Sequence, residues 1–120
     1  MEISIGMDGD VVIMDVTGDL VASTAEELKT QVSKLREKNF SFILMDISKI
    51  NFMDSSGLGA CMAIHKSLSE KNGLLVLAKP TEAVAKVFRI TRADQKVKVT
   101  ATKQDGIKAI HDAIIGGRKQ

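Results

Sequence analysis

The densest grouping of reactive side chains in the sequence is Asp54-Ser55-Ser56-Gly57-Leu58-Gly59. Two hydroxyls and a carboxylate stand directly before a run with helical spacing. Two chemistries fit. Ser and Asp accept hydrogen bonds from the unpaired amides that open a helix, so the group suits an N-cap. A serine at the positive end of a helix, flanked by small residues, also suits an exposed reactive hydroxyl. Spacing alone leaves both open.

Nucleophilic catalysis needs a base within hydrogen-bond reach of the serine. His65 lies nine positions after Ser56, about 13 Å along a helix and half a turn round, so it cannot serve. It falls in the apolar arc of its helix, and its expected role is a partly buried, hydrogen-bonded imidazole. His111 is distant in sequence. The stretch lacks Gly-x-Ser-x-Gly and the Gly-Lys-Ser/Thr end of a phosphate-binding loop. The helix start could still hold an anion through its amides.

On a helical wheel Leu58, Cys61, Met62, Ile64 and Leu68 gather on the side that must face the core. The opposite side begins at Ser56 and continues through Gly59, Ala60, Ala63 and Ser67. A solvated face ordinarily carries Lys and Glu. A small, flat one lets another backbone approach and orders few side chains on docking. Packing of a neighbouring element there is the competing reading.

These residues need a scaffold, and the chain can supply one. Its 120 residues make one domain, placed at 1–120 with 116–120 as a fraying tail. Ile3, Ile5 and Met7 alternate as a half-buried strand, Asp8-Gly9-Asp10 turns, and Val11 to Val16 forms a second strand. Gly18-Asp19-Leu20 ends it. A helix follows to about Lys38, opened by capping boxes of Ser23 with Glu26 or Thr24 with Glu27. Phe42 to Met45 is a short central strand, and Ser48 to Asp54 a connector. A helix runs from Gly57 to about Lys71. Leu74 to Ala78 is a strand, and Pro80-Thr81 opens a helix to about Ile90. Val97 and Val99 mark a last strand, and Thr102 caps a last helix carrying Ile107, Ile110 and Ile114, closed by Gly116-Gly117. The order ββαβαβαβα predicts an α/β domain with a mixed, mostly parallel sheet of about five strands and about four helices.

Composition narrows the function. Seventeen basic and fifteen acidic residues give a net charge of +2, with the signs interspersed. With no basic stripe and no Trp or Tyr, a nucleic-acid surface is not supported. The longest apolar runs are far below the roughly 18 residues of a membrane span. There is no basic start followed by an apolar stretch, so a cytoplasmic location is expected. The single Cys61 forms no internal disulfide and reads as a small core residue.

Phe52-Met53-Asp54-Ser55-Ser56-Gly57-Leu58-Gly59 resembles the signature of the STAS domain, in particular of the bacterial anti-sigma factor antagonists. Gly18-Asp19-Leu20 before a helix is similar to the family's earlier motif, and the order of elements also resembles that fold. The resemblance implies a non-catalytic partner switch without a cofactor. The unphosphorylated antagonist binds an anti-sigma factor that is also a serine kinase and so releases a sigma factor. The kinase phosphorylates a serine of the motif, and a serine phosphatase resets it. The acceptor maps to Ser56, with Ser55 as second choice. The partner surface maps to Asp54, Ser55, Ser56, Gly57, Leu58, Gly59, Ala60 and Ala63, with Asp19 and Val21 from the earlier loop. The family often carries Asp where this chain has Val21. A small nucleotide- or anion-sensing module and a scaffold subunit are the rival readings.

Overall fold

The structure, a computed structural model, describes residues 1–118. Its elements are β1 (Glu2–Asp8), β2 (Val11–Thr17), α1 (Ala22–Glu37), β3 (Phe42–Lys49), α2 (Ser55–Ser69), β4 (Leu74–Ala78), α3 (Glu82–Ile90), β5 (Lys98–Thr100) and α4 (Lys103–Arg118). A single 3₁₀ turn, Ala93–Gln95, precedes β5. The strands lie in the order β1-β2-β3-β4-β5. The β1–β2 pair is antiparallel and the other three pairs are parallel. This is the expected order of elements in a mixed, mostly parallel sheet.

Alternation along the strands divides the core between two faces. Val12, Met14, Val16, Ile43, Met45, Ile47, Leu75 and Leu77 face α1, α2 and α3. Val11, Leu44, Val76 and Ala78 face α4 through Ile110, with Ile107 and Ile114 beside it. The sheet is therefore covered on both sides, which explains the unbroken apolar runs of β3 and β4. Gly9 takes φ +59° in the hairpin turn, and Asn39 takes φ +69° after α1, both as their residue types suggest.

Several expectations need correction. Neither capping box opens α1. The helix starts at Ala22 with Val21 as N-cap, and Thr24 Oγ1 accepts from the Val21 amide at 2.9 Å while donating to the Asp19 carbonyl at 2.7 Å. Val21 has no acceptor of its own, so a residue inside the first turn bonds back to it. β3 extends past Met45 to Lys49, because β2 pairs with it as far as Thr17–Lys49. Ile5 and Met7 are 45% and 50% exposed, so β1 is half-buried only at Ile3; α1 does not extend over this edge strand. Gly116-Gly117 does not end α4, which continues to Arg118. The rest of the anticipated tail, Lys119 and Gln120, lies outside the described residues.

Candidate functional site

Two loops meet at the carboxyl end of the parallel strands. The Leu20 amide donates to the Phe52 carbonyl at 2.9 Å, and the Asp54 amide donates to the Leu20 carbonyl at 3.3 Å. Leu20 and Met53 thus form a short parallel bridge, with both side chains buried. The bridge fixes the chain just before α2 and brings Asp19 and Val21 alongside the serines' loop.

Asp54 is the N-cap of α2. Its Oδ1 accepts from the Gly57 amide at 3.0 Å, and its backbone is extended, at φ −99° and ψ −172°. The helix therefore begins at Ser55, two residues before the expected start. Ser55 and Ser56 occupy its first two positions, exposed, and neither hydroxyl has a hydrogen-bond partner among the described residues. The two readings of this segment separate here. The cap is the carboxylate, and the serines are left free. Because Asp54 already lies on the amide that a bound anion would use, its negative charge disfavours an anion sensor at this helix start.

The small residues divide into two sets. Gly57 is buried, and a Cβ there would collide with the Leu20 carbonyl oxygen and with Leu20 Cγ and Met53 Cγ. Ala60 is 3% exposed and belongs to the core, contrary to its expected place on the flat outer face. The wheel misplaces it because α2 packs against α1 as well as the sheet, which widens its buried arc. Gly59 and Ala63 are exposed, with nothing near a Cβ built at Gly59. Farther along, Ala63 borders a shallow groove of about 190 Å³ with Lys29, Val32 and Ser33 of α1. Leu58 is half-buried against the core, Asp19 is exposed and Val21 is half-buried. The surface offered outward is thus Ser55, Ser56, Gly59, Ala63 and Asp19, while Gly57 and Ala60 hold the helix in place.

Phe52 adds to this surface. It is 54% exposed, one of only four aromatic residues, and two positions before the cap. Sequence reasoning misses it, although it stands in the motif, because an apolar residue beside a strand reads as core. An exposed aromatic next to a flat polar face is a common anchor of a protein interface.

The histidines stand apart from the serines. His65 is half-buried as expected, but its Nδ1 is buried without a hydrogen-bond partner, contrary to the expected bonded imidazole. His111 is exposed on α4, across the sheet from α2. Cys61 is fully buried, and burial pushes its thiol up to about 12, so it is neutral and inert.

A charge cluster ties α4 to the sheet's other face. Lys103 Nζ lies 3.1 Å from Asp15 Oδ1 and 3.4 Å from Asp46 Oδ2, and Lys79 reaches Asp46 at 3.8 Å. Burial raises the Asp46 carboxyl, but hydrogen bonds from Ser48 and the nearby Lys103 outweigh it and hold the group below its ordinary value. The hydrogen bond to Asp15 raises Lys103 above the ordinary lysine value, against the opposing effect of its partial burial. Every cation here has a carboxylate partner, so the cluster fastens structure together.

Together, the sheet order, the bridged loops and the free serines beside the Asp54 cap are those of a STAS domain. The STAS family model matches residues 2–106, and the chain belongs to that family. Its relatives include anti-sigma factor antagonists. The TM1081 homolog of Thermotoga neapolitana is 31% identical over 84% of this chain and 90% of its own. The anti-sigma-B factor antagonist of Listeria monocytogenes is 28% identical over 77% and 81%. The crystal structure of TM1081 from Thermotoga maritima superposes with a TM-score of 0.86 at 27% identity, covering 91% of this chain and 94% of that one. Among the described residues no helix is long and apolar enough to cross a membrane.

Proposed function

We propose that the chain is an anti-sigma factor antagonist switched by phosphorylation of Ser56. Unphosphorylated, it binds an anti-sigma factor that is also a serine kinase, and a sigma factor is released. The Ser56 Oγ then attacks the γ-phosphorus of ATP held by that kinase. ADP leaves, the hydroxyl proton passes to a kinase base, and a serine phosphatase later restores the hydroxyl.

The observation that carries this reading is the free hydroxyl of Ser56 at the second position of α2, with Asp54 satisfying the helix end and Gly59 leaving open space beside it. A serine serving as the cap would have to give up its structural bond to be modified. Here the phosphate is added to a group the fold does not use. It brings about −1.5 to −2 charges at pH 7, beside exposed Phe52 and half-buried Asp54. A partner packed there must desolvate the phosphate or move away, at a cost of several kcal/mol where no cation compensates. Asp19 remains as the acidic group of the neighbouring loop, while Val21 withdraws the carboxylate that the family often places next to it.

The test is affinity capture from the source cell with tagged wild type, Ser56→Asp and Ser56→Ala. A histidine-kinase-like serine kinase retained by wild type and Ser56→Ala, but at least tenfold less by Ser56→Asp, is expected. With that kinase and ATP, one phosphate should map to Ser56 and vanish in Ser56→Ala. Phosphate on Ser55 would move the acceptor by one residue, and equal capture by all three proteins would overturn the switch.

A further inference from the structure

β1 lies at the edge of the sheet. Its one neighbour there is β2, and its 7 residues pair without a register shift. The ladder closes at Asp8–Val11 around the two turn residues Gly9 and Asp10. In a two-residue hairpin the residues flanking the turn exchange both ladder bonds, and bonded pairs then alternate along the strand. Glu2, Ser4, Gly6 and Asp8 therefore bond to β2, while the amides and carbonyls of Ile3, Ile5 and Met7 point away from the sheet. Among the described residues nothing outside β2 bonds to the β1 backbone. A free edge is ordinarily blunted by lysine, proline, a bulge or a very short strand. β1 has none of these. It shows exposed Ile5 and Met7 on one face, beside half-buried Ile3. On the other face Gly6 has nothing within 4 Å of its Cβ position, which leaves room for a second backbone.

Charge indicates what kind of strand adds here. The hairpin, residues 2–17, carries Glu2, Asp8, Asp10 and Asp15 and no Lys or Arg. Asp15 is held by Lys103, and Asp10 has a partner of its own. Glu2 and Asp8 are exposed and have no ion-pair partner among the described residues. They stand at the two ends of β1 on the same face. The Met1 nitrogen lies against Gly18, on the β2 side of the strand. Of the lysines that line a cavity with Glu2, Lys79 and Lys103 are held by carboxylates of their own. The third, Lys49, belongs to β3, two strands in, or about 10 Å away at ~4.8 Å per strand. The outer edge is thus acidic at both ends. Antiparallel pairing with β1 of a second copy, centred on Ile5, would set Glu2 opposite Asp8 twice, and like charges directly opposite destabilise a strand pair.

We propose that β1 accepts an extended segment of another protein as a further strand of the sheet. The segment that fits is about seven residues long, the span of β1. It carries apolar side chains at alternate positions, on the face of Ile3, Ile5 and Met7, and a lysine or arginine at each end, beside Glu2 and Asp8. Bonds to the outward amides and carbonyls supply the attachment, and the two terminal cations set the register. The inference does not rest on the Ser56 reading.

The probe is the end-capped peptide Lys-Val-Thr-Val-Thr-Val-Lys, titrated into the isotope-labelled full chain and followed by NMR. Saturable shifts on β1 are expected. In the free chain the amides of Ser4, Gly6 and Asp8 should exchange hydrogen slowly and those of Ile3, Ile5 and Met7 rapidly. Saturating peptide should slow the second set at least tenfold. Glu2→Lys and Asp8→Lys together should weaken the peptide at least tenfold, and a peptide with glutamate at both ends should bind that variant instead. Ile5→Pro removes an outward amide that β2 does not use, so the chain should keep its far-UV circular dichroism and lose the peptide. Three outcomes would each overturn the proposal: no added protection of Ile3, Ile5 and Met7 with peptide, equal binding of lysine-ended and glutamate-ended peptides to wild type, or protection of the same amides that rises with protein concentration when no peptide is present.

Discussion

Gly57 and Gly59 sit two residues apart in α2, and replacing each by alanine should change stability in opposite directions. In an exposed helix interior Gly→Ala stabilises by about 0.5–1 kcal/mol, through backbone entropy. Gly59 meets that condition, since nothing lies within 4 Å of its Cβ position. At Gly57 the new methyl would lie 2.9 Å from both Leu20 Cγ and Met53 Cγ, and closer still to the Leu20 carbonyl oxygen. Ordinary carbon contacts are about 3.5–4.0 Å. The side chains could yield, but the carbonyl cannot move freely, because it accepts from the Asp54 amide in the bridge between the two loops. Overpacking of this kind costs about 1–3 kcal/mol, more than the helix gain. For a domain of this size 1 kcal/mol moves Tm by about 3–5 °C. Gly57→Ala should therefore melt several degrees below wild type and Gly59→Ala a few degrees above it. With no Trp or Tyr in the chain, far-UV circular dichroism is the suitable probe for thermal and urea melts. Gly57→Ala at or above the wild-type midpoint would show that the loop bridge yields easily and that this glycine is not a packing requirement.

Three other substitutions test the same framework. At the helix starts, Asp54→Ala should lose about 0.5–2 kcal/mol of stability with its cap, while Val21→Asp, at a position with the extended backbone of an N-cap, should gain about 1 kcal/mol; urea midpoints measure both. Because its folded pKa lies below the unfolded value, Asp46 contributes stability that is present above about pH 4 and lost as pH falls through the folded value, so the gap between wild type and Asp46→Asn should be open at pH 7 and should close in acid.

What the sequence disclosed, and what it hid, follows from the range of the interactions. Helix α3 and its cap were readable because Thr81 accepts from the Val84 amide three residues on, a bond fixed by local spacing. The α2 start was ambiguous because Asp54, Ser55 and Ser56 can each cap, and the choice falls to the one residue held extended by the Leu20 bridge. That bridge joins positions more than thirty residues apart. A helical wheel places Ala60 on the outer face for the same reason: it shows one helix and not the second helix packed on it. Ile5 and Met7 alternate as a buried strand would, yet burial depends on a covering element that their own segment cannot reveal. Gly116-Gly117 suggests a stop, but intrinsic propensity is a weak constraint that context overrides.

The small residues of α2 therefore perform two opposite tasks within one short stretch. Gly57 and Ala60 face inward, where the missing side chains let α2 lie close against the Leu20 loop and its neighbours. Gly59 and Ala63 face outward, where the missing side chains keep the surface flat beside Ser56. A charged group added to Ser56 presses on the second set and leaves the first untouched, because Asp54 and the loop bridge anchor the helix without the serine hydroxyl. The helix end itself tolerates the added charge, since its amides favour an anion by about 0.3–1 kcal/mol, while nearby Asp54 opposes it by like-charge repulsion. The domain should thus remain folded in both states, and the difference between them should lie in the outer surface alone. A switch of this kind needs no second conformation of the sheet; it needs an acceptor that the fold does not use, next to a face that the partner does.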